Sequence, residues 1–470
     1  MLFNSAHFVV FLLLTLGVYW AVPSLLVRRG ILLLASLVFY AWWDYRFLAL
    51  LAYVTLVAYA AARALHAFPA HAKRIVGLTL FLQLGQLAVF KYTNFFLAGF
   101  GDFAQLFGAH LTAPRLNIVL PIGVSFYTFH GISYVVDVYR KKLPRPLELS
   151  VVALYIVFFP QLVAGPIVRA DVFIPQTERP AKLDSRDLIA ALKLVSIGLI
   201  CKGVFADRLG PLVDAIFKAP GSFDNRTLVS AACGFYAQIY FDFVGYSTMA
   251  IGISRLFGFK LPRNFDFPYR STNITEFWRR WHISLSTWLR DYLYIPLGGN
   301  RHGTLKQYRN LFLTMLLGGL WHGASYNFVL WGGAHGLALA THKLFRSKFP
   351  TALQGGPARY AWLPVAWLLT QGFVLLAWVP FRAGSFADTS LVLHAFAFAR
   401  DDAGLQSQTL PLALLTIPIL VEHVLVQNPG LPAFPWPKRP VLVLVLLGVG
   451  FALALPLIEL AVQNFIYFQF

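Results

Sequence analysis

Charge is what this sequence has least of: 13% of its 470 residues are Asp, Glu, Lys or Arg, about half the density of an ordinary soluble domain. With 58% hydrophobic residues and a mean hydropathy of +0.64, the chain carries more apolar surface than a soluble fold could cover. Cysteine is nearly absent. Cys201 and Cys233 lie in separate apolar blocks, which excludes a disulfide framework and a cysteine-based metal site. No Gly-rich phosphate loop, His-Glu-x-x-His pair or Gly-x-Ser-x-Gly elbow occurs, so ATPase, metalloprotease and serine-hydrolase readings lose their footing. No repeat of solenoid length appears, and no linker separates soluble domains. Acids are scarce too, 20 against 39 Lys and Arg. Those bases lie between apolar blocks rather than on a soluble surface, which points to membrane headgroups and positive-inside loops, not nucleic acid.

What is present is a series of apolar blocks, at about 6–22, 30–43, 46–64, 75–98, 118–138, 149–168, 187–205, 228–256, 310–341, 360–380, 408–426 and 440–465, with a shorter one near 388–399. A span needs roughly 20 apolar residues. The expectation is an all-α polytopic membrane protein of about 11–13 membrane-embedded helices, forming one domain over residues 1–470. The first block, 8–22, lacks a small-residue cleavage site and reads as a retained helix. Basic connectors at Arg28-Arg29, Arg140-Lys141-Lys142 and 255–309 assign that side to the cytoplasm. Within 255–310, ten Lys or Arg face three acids, Asp266, Glu276 and Asp291. There, 274–289 puts Phe277, Trp278, Trp281, His282, Leu285, Trp288 and Leu289 on one stripe, as in a single amphipathic helix at the bilayer surface capped by Asn273 or Thr272.

Several residues could carry chemistry. His322 has no charged side chain within a dozen residues, and an ionisable group at that depth needs a partner or a polar cavity. Desolvation favours the neutral form that a general base requires. Gly318, Gly319 and Gly323 would admit a close backbone or ligand. Composition alone leaves catalysis and helix packing equally open. His282 reads first as an interfacial residue, with Arg279 and Arg280 beside it able to meet phosphates. Asp242, among tyrosines that include Tyr240, is either an anchor for an Arg or Tyr network or part of a polar path. Asp137 suggests an ion pair with the basic end at 140–142. His335 and His342 do not pair obviously with His322, because thirteen residues along a straight helix turn 322 and 335 to different faces.

At Trp278-Arg279-Arg280-Trp281-His282 and Gly319-Leu320-Trp321-His322-Gly323-Ala324 the sequence resembles the membrane-bound O-acyltransferase superfamily, most closely its bacterial alginate O-acetylation subgroup. LPIGVSFYTF at 120–129, FFPQLVAGP at 158–166, YFDF at 240–243, NFDFPY at 264–269, YIPLGG at 294–299 and FIYFQF at 465–470 extend the likeness. Val244, Thr248 and His130 depart from it. The resemblance implies a helical fold around a transmembrane tunnel, with His322 as the catalytic histidine and His282 as the second motif histidine. It further implies donor contacts from Arg279, Arg280, Trp278 and Trp281, and a lining or structural role for Asp242, Tyr240, Trp321 and Asn264. No metal or resident cofactor is implied. The donor would be acetyl-coenzyme A, the setting the bacterial inner membrane, and the partner an extracytoplasmic SGNH-type acetyltransferase acting on an exopolysaccharide. The rivals are D-alanyl or other acyl transfer to teichoic acid or peptidoglycan, and a transporter or channel in which His322 and Asp242 line a path.

Overall fold

The computed structural model describes residues 1–108, 114, 116–143, 145–349, 357–398, 404–408 and 465–466. The apolar blocks at 409–426 and 440–464 and the ending beyond 466 lie outside the described residues. The described chain is helical, apart from an isolated bridge between Phe223 and Gln406. Among the described residues, five helical runs are long and apolar enough to cross a membrane: Leu25–Ala67, Pro69–Gln105, Ser185–Lys218, Asn225–Leu256 and Trp362–Arg382. The chain is a multi-pass membrane protein. Backbone contacts divide it into two compact units, residues 1–195 with 250–262, and residues 196–249 with 263–470.

In the first unit, α1 (Ala6–Ala21) starts where the Ser5 hydroxyl accepts the Phe8 N–H at 3.2 Å. The run Leu25–Ala67 is two helices of 20 residues, α2 (Leu25–Asp44) and α3 (Leu48–Ala67), joined by the turn Tyr45–Phe47. Twenty residues rise about 30 Å, the thickness of a bilayer core. α4 (Ala72–Gln105) and α5 (Val124–Tyr139) pack on α3, and α6 (Leu149–Val157), α7 (Ala170–Thr177) and the start of α8 (Ser185–Leu199) follow. Leu13, Leu14, Leu34, Leu78 and Phe81 are exposed on three of these helices, as lipid-facing side chains of membrane helices would be. The mainly apolar interior also holds polar groups: His130, Ser133, Asp137, Tyr155 and Gln161 are fully buried. Asp137 pairs with Lys142 at 3.0 Å, as the basic end of that block suggested.

The second unit contains α9 (Asp207–Lys218), most of α10 (Asn225–Leu256), α11 (Ile274–Arg280), α12 (Ile283–Leu289), α13 (Thr304–His322), α14 (Tyr326–Lys348), α15 (Pro357–Arg382) and α16 (Phe386–His394). Two expectations change here. The stripe at 274–289 is not one helix: it breaks at Trp281 and His282, and His282 adopts a left-handed backbone, φ 42 and ψ 55. The block 310–341 is likewise two helices, because Gly323 at the end of α13 is extended and Ser325 opens α14.

α13 and α14 form an antiparallel hairpin whose contact is nearly backbone on backbone. A Cβ on Gly319 would lie 2.3 Å from the Phe328 carbonyl oxygen, and one on Gly332 would lie 2.4 Å from that of Met315. Glycine is therefore required at both crossings. Gly332→Ala should force the helices apart and destabilise the protein by roughly 1–3 kcal/mol, read as a lower melting temperature in detergent. Gly77→Ala, where no atom lies within 4 Å of the added carbon, should leave melting unchanged.

Candidate active site

The break at His282 is held from the side by the segment that carries Asn264. The Ile283 N–H donates to the Asn264 carbonyl at 2.8 Å, and the Asp266 N–H to the Arg280 carbonyl at 3.0 Å. Asn264 itself is buried, and its Oδ1 accepts from the Ser284 N–H at 3.2 Å and the Ser284 hydroxyl at 2.8 Å, with His282 Nδ1 at 3.1 Å. A backbone N–H can only donate, so it fixes which end of the amide is oxygen. His282 Nδ1 must then carry its proton, and in the neutral ring Nε2 presents a lone pair. Burial pushes the His282 pKa down to about 3, so the ring is neutral at physiological pH. Its face meets Phe243, ring centres 4.6 Å apart.

The neighbouring motif residues do different work. Arg280 is half-buried and occupied: it pairs with Glu276 at 2.9 Å and Asp266 at 3.5 Å and donates to the Asp266 carbonyl at 3.1 Å. Arg279 is exposed, and among the described residues it has no carboxylate partner. Trp281 is buried between Tyr269 and Phe277, and Trp378 lies 5.0 Å away. Tyr240 joins the same stack, 5.0 Å from Tyr269. Trp278 points its indole N–H at His335 Nδ1, 3.2 Å away. Asn273 rather than Thr272 caps α11, accepting the Glu276 N–H at 2.8 Å.

His322 is the last residue of α13, buried, with Trp321, Trp331 and Phe381 around its ring at 4.8, 4.9 and 5.1 Å. The carbonyl end of a helix favours positive charge, so this position suits a histidine that takes up a proton. Trp321 links the two motif histidines, its ring centre 6.4 Å from that of His282. His335, set aside on straight-helix geometry, belongs to the cluster. The turn at 323–325 folds α14 back, and Trp331 then lies between His322 and His335, 4.9 and 4.7 Å from them. Trp331 was missed and His335 set aside for that reason, while Phe381 comes from α15, where no sequence motif pointed to it. The signal was present in Gly323-Ala324-Ser325, a break followed by a helix-capping residue.

Asp242 is engaged elsewhere. Its carboxylate lies 2.6 Å from Lys202 Nζ and accepts the Ile466 N–H at 2.6 Å, while Lys202 also reaches Asp207 at 2.6 Å. It is an anchor, as one of the two readings held, but the cation is a lysine from the π-helical stretch Ile200–Ala206 rather than an Arg or Tyr network. All three side chains are buried. Such a group is retained only when charge and hydrogen bonds are matched.

The sequence profile of the membrane-bound O-acyltransferase family matches residues 138–376, a stretch that contains every histidine of this cluster. The chain is 40% identical to a Pseudomonas putida protein named "Probable alginate O-acetylase", over 89% of this chain and 86% of that one. It is 42% identical to the Pseudomonas aeruginosa protein of the same name, over 82% and 72%. A peptidoglycan O-acetyltransferase of Helicobacter pylori is 38% identical over 77% of this chain and 72% of its own.

The Asn264 clamp gives a test that needs no substrate. Asn264→Leu keeps the branched shape but removes the acceptor of three buried donors, and should destabilise the protein by about 1–3 kcal/mol. Asn264→Asp keeps the acceptor and should melt nearer to the parent protein. Equal melting of all three proteins would show that the clamp does not hold the break.

Proposed function

We propose, from the premise that the chain belongs to the membrane-bound O-acyltransferase family, that this O-acyltransferase uses His322 to pass an acetyl group from acetyl-coenzyme A to a hydroxyl destined for an exopolysaccharide such as alginate. What supports the residue assignment is the placement of His322: a buried imidazole at the carbonyl end of α13, walled by Trp331 and Phe381 and connected through Trp321 to His282. The alginate O-acetylase relatives support the acceptor class.

In this reading the thioester arrives from the basic cytoplasmic side and the hydroxyl from the opposite face. His322 removes the hydroxyl proton as the oxygen attacks the thioester carbonyl carbon. The tetrahedral adduct collapses with cleavage of the C–S bond, and the imidazolium returns its proton to the departing thiolate. The products are an acetyl ester and coenzyme A, and the histidine is restored. His282 accepts a hydrogen bond from a bound water through its Nε2 lone pair, and that water positions the thioester. Arg279 attracts the donor phosphates, whereas Arg280 maintains the fold of 264–282 through Glu276 and Asp266. Trp278 and Trp281 shape the site through His335 and the Tyr269 stack. The setting is the bacterial inner membrane. An extracytoplasmic SGNH-type acetyltransferase completes delivery and selects the polymer.

Replacing His322 with Ala at unchanged membrane abundance should lower polymer acetylation at least a hundredfold, the scale of a lost general base. Retained acetylation would remove His322 from the reaction, and acetylated peptidoglycan in place of exopolysaccharide would move the acceptor to that polymer. For the donor side, Arg279→Glu should raise the KM for acetyl-coenzyme A several-fold with kcat little changed. An unchanged KM would make Arg279 a headgroup anchor instead.

A further inference from the structure

The acyl-transfer chemistry leaves unused a cavity of ≈ 1070 Å³ in the first unit, whose polar lining is His66, His71, Lys73, Arg74, Tyr139 and Lys141. It opens where three helices end together. α3 stops at Ala67, the turn Pro69–His71 leads into α4 at Ala72, and α5 stops at Tyr139. The runs on either side of that turn, Leu25–Ala67 and Pro69–Gln105, are each apolar enough to cross a membrane. The cavity therefore lies at headgroup level, on a side whose excess of Lys and Arg assigns it to the cytoplasm.

Its charge is not neutralised. Among the described residues no acid lines the cavity, and Asp137, at the same end of α5, pairs with Lys142. Among the described residues Lys73, Arg74 and Lys141 have no ion pair and no side-chain hydrogen bond. Lys73 and Arg74 occupy the first turn of α4, where the helix adds its own partial positive charge.

Lys141 carries a second, independent mark. Its backbone is left-handed, φ 60, in the turn that ends α5, closed by the Lys142 N–H donating to the Asp137 carbonyl at 3.0 Å. Glycine takes this position with least strain. Stability alone would place glycine there; what lysine adds is a cation on the cavity rim.

We propose that this cavity is a binding site for a phosphoester anion, supplied at the membrane surface by the headgroup of an anionic lipid. Lys73, Arg74 and Lys141 hold the phosphate, and the Tyr139 ring, amphipathic at the interface, bounds the glycerol side.

The experiment titrates the detergent-solubilised full chain with fluorescent phosphatidylglycerol, with phosphatidylcholine and inorganic phosphate as competitors. Binding should weaken about fivefold for each cation removed, in Lys141→Gly and, more strongly, in the exposed pair Lys73→Gln with Arg74→Gln. Lys141→Gly should melt no lower than the parent, since glycine relieves the left-handed backbone, so lost binding there would not be lost folding. Resistance of bound lipid to millimolar inorganic phosphate supports the lipid source. Displacement by phosphate supports the anion site but overturns the lipid as its occupant. Unchanged binding in both variants, or competition by phosphatidylcholine as strong as by phosphatidylglycerol, overturns the site.

Discussion

One acceptor atom, Oδ1 of Asn264, fixes the geometry on which the candidate site depends. The stretch 274–289 has the periodicity of a single amphipathic helix, and a left-handed residue inside it costs roughly 1–2 kcal/mol when the residue is not glycine. That cost is met by bonds a continuous helix would not make: Ser284 N–H and Oγ on Oδ1, His282 Nδ1 on the same atom, and the Ile283 N–H on the Asn264 carbonyl. The break does more than bend the chain. It buries His282 with its tautomer set, and it turns Trp281 into the Tyr269 and Phe277 stack. Strain that is held this firmly tends to be kept for a purpose. Phe267, the other left-handed residue of this region, lies in the same NFDFPY segment as Asn264.

His322 is positioned by a different device, the absence of side chains. Gly319 and Gly332 let α13 and α14 approach until a carbonyl oxygen occupies the place of a β-carbon, and Gly323 leaves its space to the Phe328 ring. The packing reading of His322 and the functional one are therefore not exclusive. The same close approach that packs the hairpin brings Trp331 against His322 and continues through His335 to the Trp278 indole. The two motifs meet in one cluster by different means, the His282 break through the Asn264 acceptor and the His322 turn through close backbone approach.

How much of this was legible in the sequence varied with the range of the interaction. Membrane embedding and helical class follow from composition, because the cost of charge in hydrocarbon is a sum over the whole chain and needs no coordinates. The pairing of Asp137 with a nearby lysine was legible for a similar reason, since partners five residues apart at a helix end meet by local geometry. The helix break at His282 and its Asn264 clamp were not. Periodicity continues smoothly through His282, and the force that interrupts it comes from a residue 18 positions away. Lys202 was hidden for the converse reason: one lysine in an apolar block gives no hint that two buried carboxylates wait for it in α9 and α10. His335 was misjudged through one premise, that 310–341 is straight.

The scarcity of acids explains how a chain with 39 bases and 20 acids arranges its charge. Several carboxylates are committed inside or at the rim of the fold: Asp137 to Lys142, Asp207 and Asp242 to Lys202, Asp266 and Glu276 to Arg280, Asp214 to Arg382. Cations with such partners build structure. Arg28 and Arg29, half-buried, spend their donors on backbone carbonyls instead, while Arg279, Lys73, Arg74 and Lys141, without a carboxylate among the described residues, are exposed. An unpaired charge could not stay in the interior, where desolvation would outweigh its interactions. The titratable groups buried in the motif cluster are imidazoles, of which His282 is neutral by burial, while Arg279, Lys73, Arg74 and Lys141 stand at the surface. The division follows from the low dielectric of a membrane protein and requires no special feature of the chemistry.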